Sequence, residues 1–143
     1  MILRPARPDD AAPLAAILGN FFEETPYLPR LHTPDEDHAF VAALIARGAV
    51  TVAANPDVCG FMAQEGEEIG QLYLSPDARG QGIGSRLLQE AQSRADRLTL
   101  WCFQQNQGAR RFYERHGFQA VAETDGAGNE EGCPDIRYEW RAR

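Results

Sequence analysis

The chain has 143 residues, 43% hydrophobic and 24% charged, the balance of an ordinary globular protein that buries a core without metal or disulfide staples, so a single domain over residues 1–143 is expected. Its net charge of −7 argues against nucleic acid, whose phosphates demand a basic patch, and favours neutral or cationic partners. All 14 basic residues are arginine, which excludes Walker-type phosphate loops and Schiff-base chemistry, since both need a lysine amine.

In chain order, Ile2 to Ala6 reads as a short opening strand. Asp9 or Asp10 then caps a helix carrying Leu14, Ile17, Leu18 and Phe21 at helical spacing. Two prolines make residues 25–32 an irregular loop. Thr33-Pro34-Asp35-Glu36 opens a second helix as a capping box, with Phe40, Val41, Leu44 and Ile45 as its apolar face. After Gly48 the pattern changes to three strands, Ala49 to Ala54, Val58 to Gln64 and Ile69 to Leu74, joined by turns into an antiparallel meander. A helix from Gly82 to about Ala95 and a strand from Leu98 to Phe103 follow. A last helix from about Gln107 to His116 is closed by Gly117, and Phe118 to Glu123 and Ile136 to Trp140 supply two final strands.

No apolar run approaches the roughly 20 residues that cross a bilayer, and the start, Met1 to Pro5, lacks the apolar core of a signal peptide. No membrane association and a cytoplasmic location are expected. Cys59, Cys102 and Cys133 are odd in number and widely spaced, with no C-x-x-C pair, and read as reduced thiols rather than metal ligands.

The strongest chemical signal is the run from Leu72 through Ser75-Pro76-Asp77-Ala78-Arg79-Gly80-Gln81-Gly82-Ile83-Gly84-Ser85 to Leu88. A strand turns into a loop with alternate glycines, and the loop opens a helix. Glycine lacks the Cβ that would block a phosphate, so backbone N–H groups can meet a pyrophosphate at the positive end of the helix. A dinucleotide fingerprint would need its third glycine one place later, where Ser85 stands, and a parallel start in place of a meander. A glycine-rich turn without ligand is the plainer alternative.

With this loop the chain resembles the GNAT superfamily of acetyl-coenzyme A-dependent N-acetyltransferases. Arg79-Gly80-Gln81-Gly82-Ile83-Gly84 satisfies its signature of Arg or Gln, two residues, Gly, one residue, Gly or Ala. A second block, Leu100 to Phe118, is similar to the family's later motif through Asn106, Ala109, Phe112-Tyr113-Glu114 and Gly117-Phe118. The resemblance implies an α+β GNAT-like fold: a mixed, mostly antiparallel sheet of about seven strands flanked by four helices, its central strands splayed. It also implies acetyl-CoA as cosubstrate, with no metal. The pyrophosphate would lie on Arg79, Gly80, Gln81, Gly82, Ile83, Gly84 and the hydroxyl or amide of Ser85. The pantetheine arm would lie beside the backbone of Leu72, Tyr73 and Leu74.

The implied chemistry is direct attack of a neutral amine on the thioester in a ternary complex. Tyr113 matches the family position whose phenol serves the leaving sulfur as general acid, the alternative being a core aromatic. Asn106 matches a position that contacts the cofactor arm or caps the last helix. The N–H of Leu74 is the candidate oxyanion donor. No carboxylate stands on the strands flanking the loop at Gln71, Tyr73, Trp101 or Phe103, which leaves Glu68, His32, or a water held by Glu130 or Glu131 as base, or a substrate that binds as free amine. A coenzyme A-binding sensor without turnover is the alternative function.

Substrate choice in such proteins comes from the loop between the first two helices and the loop between the last two strands. Here these carry Tyr27 and His32, and the acidic residues Asp125, Glu130, Glu131 and Asp135. A primary amine of a small molecule or peptide is the expected acceptor, with the acids attracting it as a cation. Similar proteins also form homodimers.

Overall fold

In the computed structural model, which describes residues 1–143, the expected elements all form, most with ends moved by a residue or two. The strands are β1 (Ile2–Pro5), β2 (Val50–Ala54), β3 (Val58–Glu65), β4 (Glu68–Leu74), β5 (Arg97–Phe103), β6 (Gln119–Thr124) and β7 (Asp135–Arg141). The helices are α1 (Ala11–Glu23), α2 (Pro34–Ala46), α3 (Ile83–Ser93) and α4 (Gln107–Arg115). One sheet carries all seven strands in the order β1-β2-β3-β4-β5-β7-β6. Every neighbouring pair is antiparallel except β4 and β5, which run parallel because α3 crosses between them. The α+β fold and its mixed sheet are those expected from the sequence.

Alternation along the central strands feeds two cores, one on each face. Val50 and Val52 on β2 and Phe61 and Ala63 on β3 pack under α1 and α2, where Leu14, Leu18, Val41 and Leu44 are buried. Their neighbours Ala53 and Met62 point the other way and join Ile83, Leu87, Leu88 and Ala91 of α3, with Leu98, Leu100, Ile136 and Tyr138. No helix is long and apolar enough to cross a membrane. Cys59, Cys102 and Cys133 are unpaired.

The capping box of α2 forms as read: Thr33 Oγ1 accepts from Glu36 N–H at 3.2 Å and Glu36 Oε1 accepts from Thr33 N–H at 3.0 Å. The cap expected for α1 does not. Asp10 makes no side-chain cap there, because its carboxylate is taken by both Arg4 Nη atoms, at 2.8 and 3.0 Å, and by Arg7 N–H at 2.7 Å. That guanidinium holds the Asp10 carboxyl below the usual range. Phe40 is a second departure. It stands one residue before the buried Val41, about 100° around the helix, and is 45% exposed.

Two irregularities shape the middle of the sheet. Ala63 pairs with Gln71 but Gln64 pairs with Ile69, so Gly70 is an extra residue bulged out of β4. A one-residue insertion reverses the alternation: Ile69 faces the α3 core, and past the bulge Leu72 and Leu74 face it while Tyr73 faces the α1 side. The second irregularity is a parting of strands. β4 and β5 are paired only at Glu68 and Thr99, with Thr99 N–H donating to Glu67 O at 2.8 Å. Beyond that rung β5 follows β7, to which it is paired from Arg97 to Phe103, and the central strands splay as expected.

Candidate active site

The gap between β4 and β5 opens into a cavity on each face of the sheet. The cavity on the α3–α4 side has a volume of about 700 Å³ and is lined by Leu72, Leu74, Gly84, Asn106, Phe112 and Tyr113 among others. The one on the α1–α2 side has about 920 Å³. Gly70, Gln71, Tyr73, Trp101, Cys102 and Phe103 line both, so the two cavities meet through the gap. Both volumes suit a ligand of modest size.

The edge of β4 that faces the gap is unpaired backbone. Ser75 N–H donates to Cys59 O at 2.8 Å, and bonded and non-bonded pairs alternate along an antiparallel ladder. Tyr73 is therefore the bonded partner of Phe61, while Leu72 and Leu74 turn their N–H and C=O groups away from β3, towards the gap. The glycine loop continues from this edge. Gly80 and Gly82 have φ of 76° and 80°, values that other residues adopt at a cost of about 1–2 kcal/mol. The space where their Cβ atoms would stand is open. Gly82 is the N-cap of α3 and supplies no side-chain cap, so the first amides of that helix are free for a ligand.

Other members of the loop are already engaged. The Arg79 guanidinium meets Glu24 at 2.7 Å and Leu74 O at 3.5 Å, closing the loop onto the end of α1. Gln81 donates to Asp77 O at 2.8 Å. The Ser85 hydroxyl lies 2.9 Å from His116 Nε2.

Tyr113 is set by α4. Asn106 Oδ1 caps that helix, accepting from Ala109 N–H at 3.1 Å, and also borders the cavity. Tyr138, buried on β7, donates to Glu114 at 2.7 Å and ties the helix to the sheet. The Tyr113 ring packs among Phe112, Phe118 and Tyr138 at centroid distances of 5.2, 5.7 and 6.3 Å. Burial pushes its pKa far up, with the Cys102 and Tyr73 groups adding to the shift, so the phenol keeps its proton at any physiological pH. Burial likewise pushes the Cys102 thiol in the gap up to about 11, which leaves it protonated and a poor nucleophile.

On the α1–α2 side the two expected loops close on each other. His32 Nε2 lies 2.6 Å from Glu130 and its Nδ1 3.8 Å from Glu36. Partial burial alone would lower the ring's pKa, but the hydrogen bond it donates to Glu130 and the charges of Glu130, Glu36 and Asp37 outweigh it and raise it. The tie is therefore fully present below the ring's ordinary value of about 6.5 and is lost as pH rises through the raised one. Amide exchange of residues 125–134 should quicken with pH across that window beyond its intrinsic increase, and His32→Gln should abolish the extra dependence.

Glu130 and Glu131 line this cavity with Glu36, Asp37 and Asp135. Asp37 is neutralised by Arg30 at 2.9 Å, and Asp135 is held by Thr124 and by Asn129 Nδ2 at 3.2 Å. Glu131 has no cationic partner, and its charge helps to raise the pKa of Tyr73 behind the effect of burial. Phe22, Phe40, Tyr73, Trp101 and Phe103 give the cavity apolar walls.

Three candidates stand elsewhere. Tyr27 lines the other cavity, where its ring packs on Phe103 at 6.4 Å. Asp125 lines neither: its carboxylate accepts from Ala127 N–H at 2.9 Å and builds the turn. Glu68 stands at the closed end of the gap, held by Arg137 at 2.6 Å, and lines neither cavity. Sequence alone does not point to Glu24 or Phe40 as neighbours of these cavities, nor to the bulge beside Gln71, although an isolated glycine inside a strand, Gly70, is a local sign of one.

Comparison with known proteins agrees with this geometry. Residues 35–120 match the family described as acetyltransferase (GNAT) domain. The chain is 28% identical over 125 residues to the peptidyl-lysine N-acetyltransferase YjaB of Escherichia coli, covering 86% of this chain and 85% of that one. It is 37% identical over 76 residues to the Salmonella typhimurium protein of the same name, a match spanning 53% of this chain and about half the length of that relative, 52%. The solution structure of apo YjaB from E. coli superposes over 100% of both chains with a TM-score of 0.81 and 26% identity. With the splayed strands, the glycine loop and the Asn106 to Phe118 block in place, this chain belongs to the GNAT acetyltransferase family.

Proposed function

We propose that this chain transfers the acetyl group of acetyl-CoA to a primary amine, with the coenzyme on the α3–α4 side, the amine on the α1–α2 side, and reaction in the gap between β4 and β5. The observation that carries the reading is the joining of two cavities of different character through that one gap. The α3–α4 side fits the coenzyme: open space over Gly80 and Gly82, free amides from Ile83 to Ser85, and an unpaired strand edge at Leu72 and Leu74. When bound, acetyl-CoA supplies an activated thioester.

The chain's own groups do the rest. The Leu74 N–H, directed into the gap, receives the negative charge that develops on the acetyl oxygen. Tyr113, kept protonated by burial, hands its proton to the departing sulfur, and the proton released by the attacking nitrogen restores the phenol. Gln71, Tyr73, Trp101 and Phe103 bring no carboxylate to the gap, so the amine reacts as free base. Activity should therefore rise with pH towards the pKa of the acceptor.

The acceptor we propose is the side-chain amine of a lysine in a peptide. The acidic rim of Glu130 and Glu131 suits the cation on arrival, the aromatic walls suit its methylene stem, and two curated relatives carry peptidyl-lysine in their names. Calorimetric binding of acetyl-CoA, followed by thiol release against lysine peptides, amino-terminal peptides, polyamines and small amines, tests both halves. Release with lysine peptides supports the reading; binding without release on any amine would make the protein a coenzyme sensor, and no binding would end the proposal. Glu131→Gln should raise KM for a lysine peptide about 5- to 20-fold with kcat little changed, the loss of one charge-assisted contact. An unchanged KM would remove Glu131 from the amine site.

A further inference from the structure

His116 is a half-buried titratable group that takes no part in the acetyl transfer itself. His116 is the C-cap of α4, and the next residue, Gly117, turns with φ of 88°. The imidazole so placed reaches across to the first turn of α3, where its Nε2 lies 2.9 Å from Ser85 Oγ. Two further contacts fix it: His116 O accepts from Gln92 Nε2 at 3.0 Å, and the ring lies 4.8 Å from that of Phe112. Ser85 carries the only side-chain hydroxyl in the first turn of α3, beside amides that the glycine N-cap leaves open.

We propose that His116 is the positioning residue of the anion cradle: it donates from Nε2 to Ser85 Oγ, so that the Ser85 hydroxyl is free to donate to the coenzyme's pyrophosphate, and it takes up a solvent proton when that anion binds. This rests on the coenzyme reading above. The Ser85–His116 hydrogen bond has two arrangements. With a bare Nε2 the hydroxyl donates into the ring and turns its lone pairs towards the ligand, which repels an anion. With Nε2 protonated the ring is the donor and the hydroxyl proton points outwards. An anion at the helix start selects the second arrangement.

The surroundings explain why the proton is taken up on binding. Burial first, and then the charge of Arg115, hold the ring's pKa below its ordinary value, so it is neutral in the free protein at neutral pH. From α3 it meets only the uncharged Ser85 and Gln92, and from α4 Phe112 and Arg115. No carboxylate pairs with it, in contrast to His32. A pyrophosphate on the cradle is its first negative neighbour and raises its pKa. Coenzyme affinity therefore grows as pH falls through the bound-state value and levels off below the free-state value.

Calorimetry with CoA and with 3′-dephospho-CoA, near pH 6.5 in buffers of different ionisation enthalpy, tests this. The second ligand lacks the phosphate monoester, which itself titrates near about 6. The wild-type protein should take up protons on binding either ligand. His116→Gln keeps an N–H donor but cannot titrate, so affinity should stay within about threefold while the proton uptake from dephospho-CoA disappears. His116→Phe and Ser85→Ala should each weaken binding about 3- to 10-fold, the range for one hydrogen bond, and the double variant should be no worse than either alone. Unchanged affinity in His116→Phe and Ser85→Ala, or proton uptake persisting in His116→Gln, would overturn the proposal while leaving the coenzyme reading intact. Failure of the wild-type protein to bind either ligand would overturn both.

Discussion

Tyr113→Phe is expected to lower kcat for amine acetylation by about 10²- to 10⁴-fold, the usual worth of a positioned general acid, with acetyl-CoA affinity almost unchanged. The substitution removes one oxygen and keeps the ring that packs among Phe112, Phe118 and Tyr138, so α4 has no reason to move. Burial holds the phenol protonated throughout the working range. Its loss should therefore lower the pH–rate profile without altering its shape, because the rising limb belongs to the acceptor amine. Steady-state kinetics over about pH 6 to 10, with calorimetric binding of acetyl-CoA, separate the two parts of this expectation. A fall in kcat of less than about threefold would return Tyr113 to the role of a core aromatic.

Phe61→Ala is expected to cost about 3–5 kcal/mol of folding stability, a large share of the roughly 5–15 kcal/mol that holds a domain together. Phe61 is fully buried on β3, one strand from the gap, in the core under α1 and α2. Its ring lies 6.0 Å from that of Tyr73, which in turn leans on Phe21 at 4.8 Å. The cavity left behind would loosen the wall of the amine side as well as the core. Denaturant unfolding should show the lower midpoint at unchanged slope, and stability within about 1 kcal/mol of wild type would mean that α1 collapses to refill the space.

What the sequence made legible follows from the range of the forces involved. The capping box at Thr33 and Glu36, the helical spacing of Leu87, Leu88 and Ala91, and the glycine turn into α3 are short-range arrangements, settled within a few residues. The bulge at Gly70 is settled by pairing with β3; the isolated glycine is its one local sign, and it does not show how the register shifts. Asp10 reads as a cap because nothing in the helix pattern shows that Arg4, six residues earlier on β1, claims the carboxylate. Tyr27 and Asp125 read as substrate-facing because of the loops that carry them, but where each side chain goes is decided by Phe103, on which the Tyr27 ring packs, and by the turn at Ala127 that Asp125 builds. Asn106 reads both ways in sequence, and the cap is what its side chain makes while it borders the cavity.

The single rung between β4 and β5 gives this sheet an unusual mechanical character. It is two ribbons, β1 to β4 and β5 to β7, stapled at Glu68 and Thr99 and free at the other end. Rocking one ribbon against the other about that staple breaks few strand-to-strand hydrogen bonds, so the stiffness of the hinge comes mainly from the helices packed across it. A ligand that pairs with the bare edge of β4 becomes a rung between the ribbons. Filling the gap is therefore expected to stiffen the molecule, read as slower amide exchange along β4 and β5 once ligand is bound.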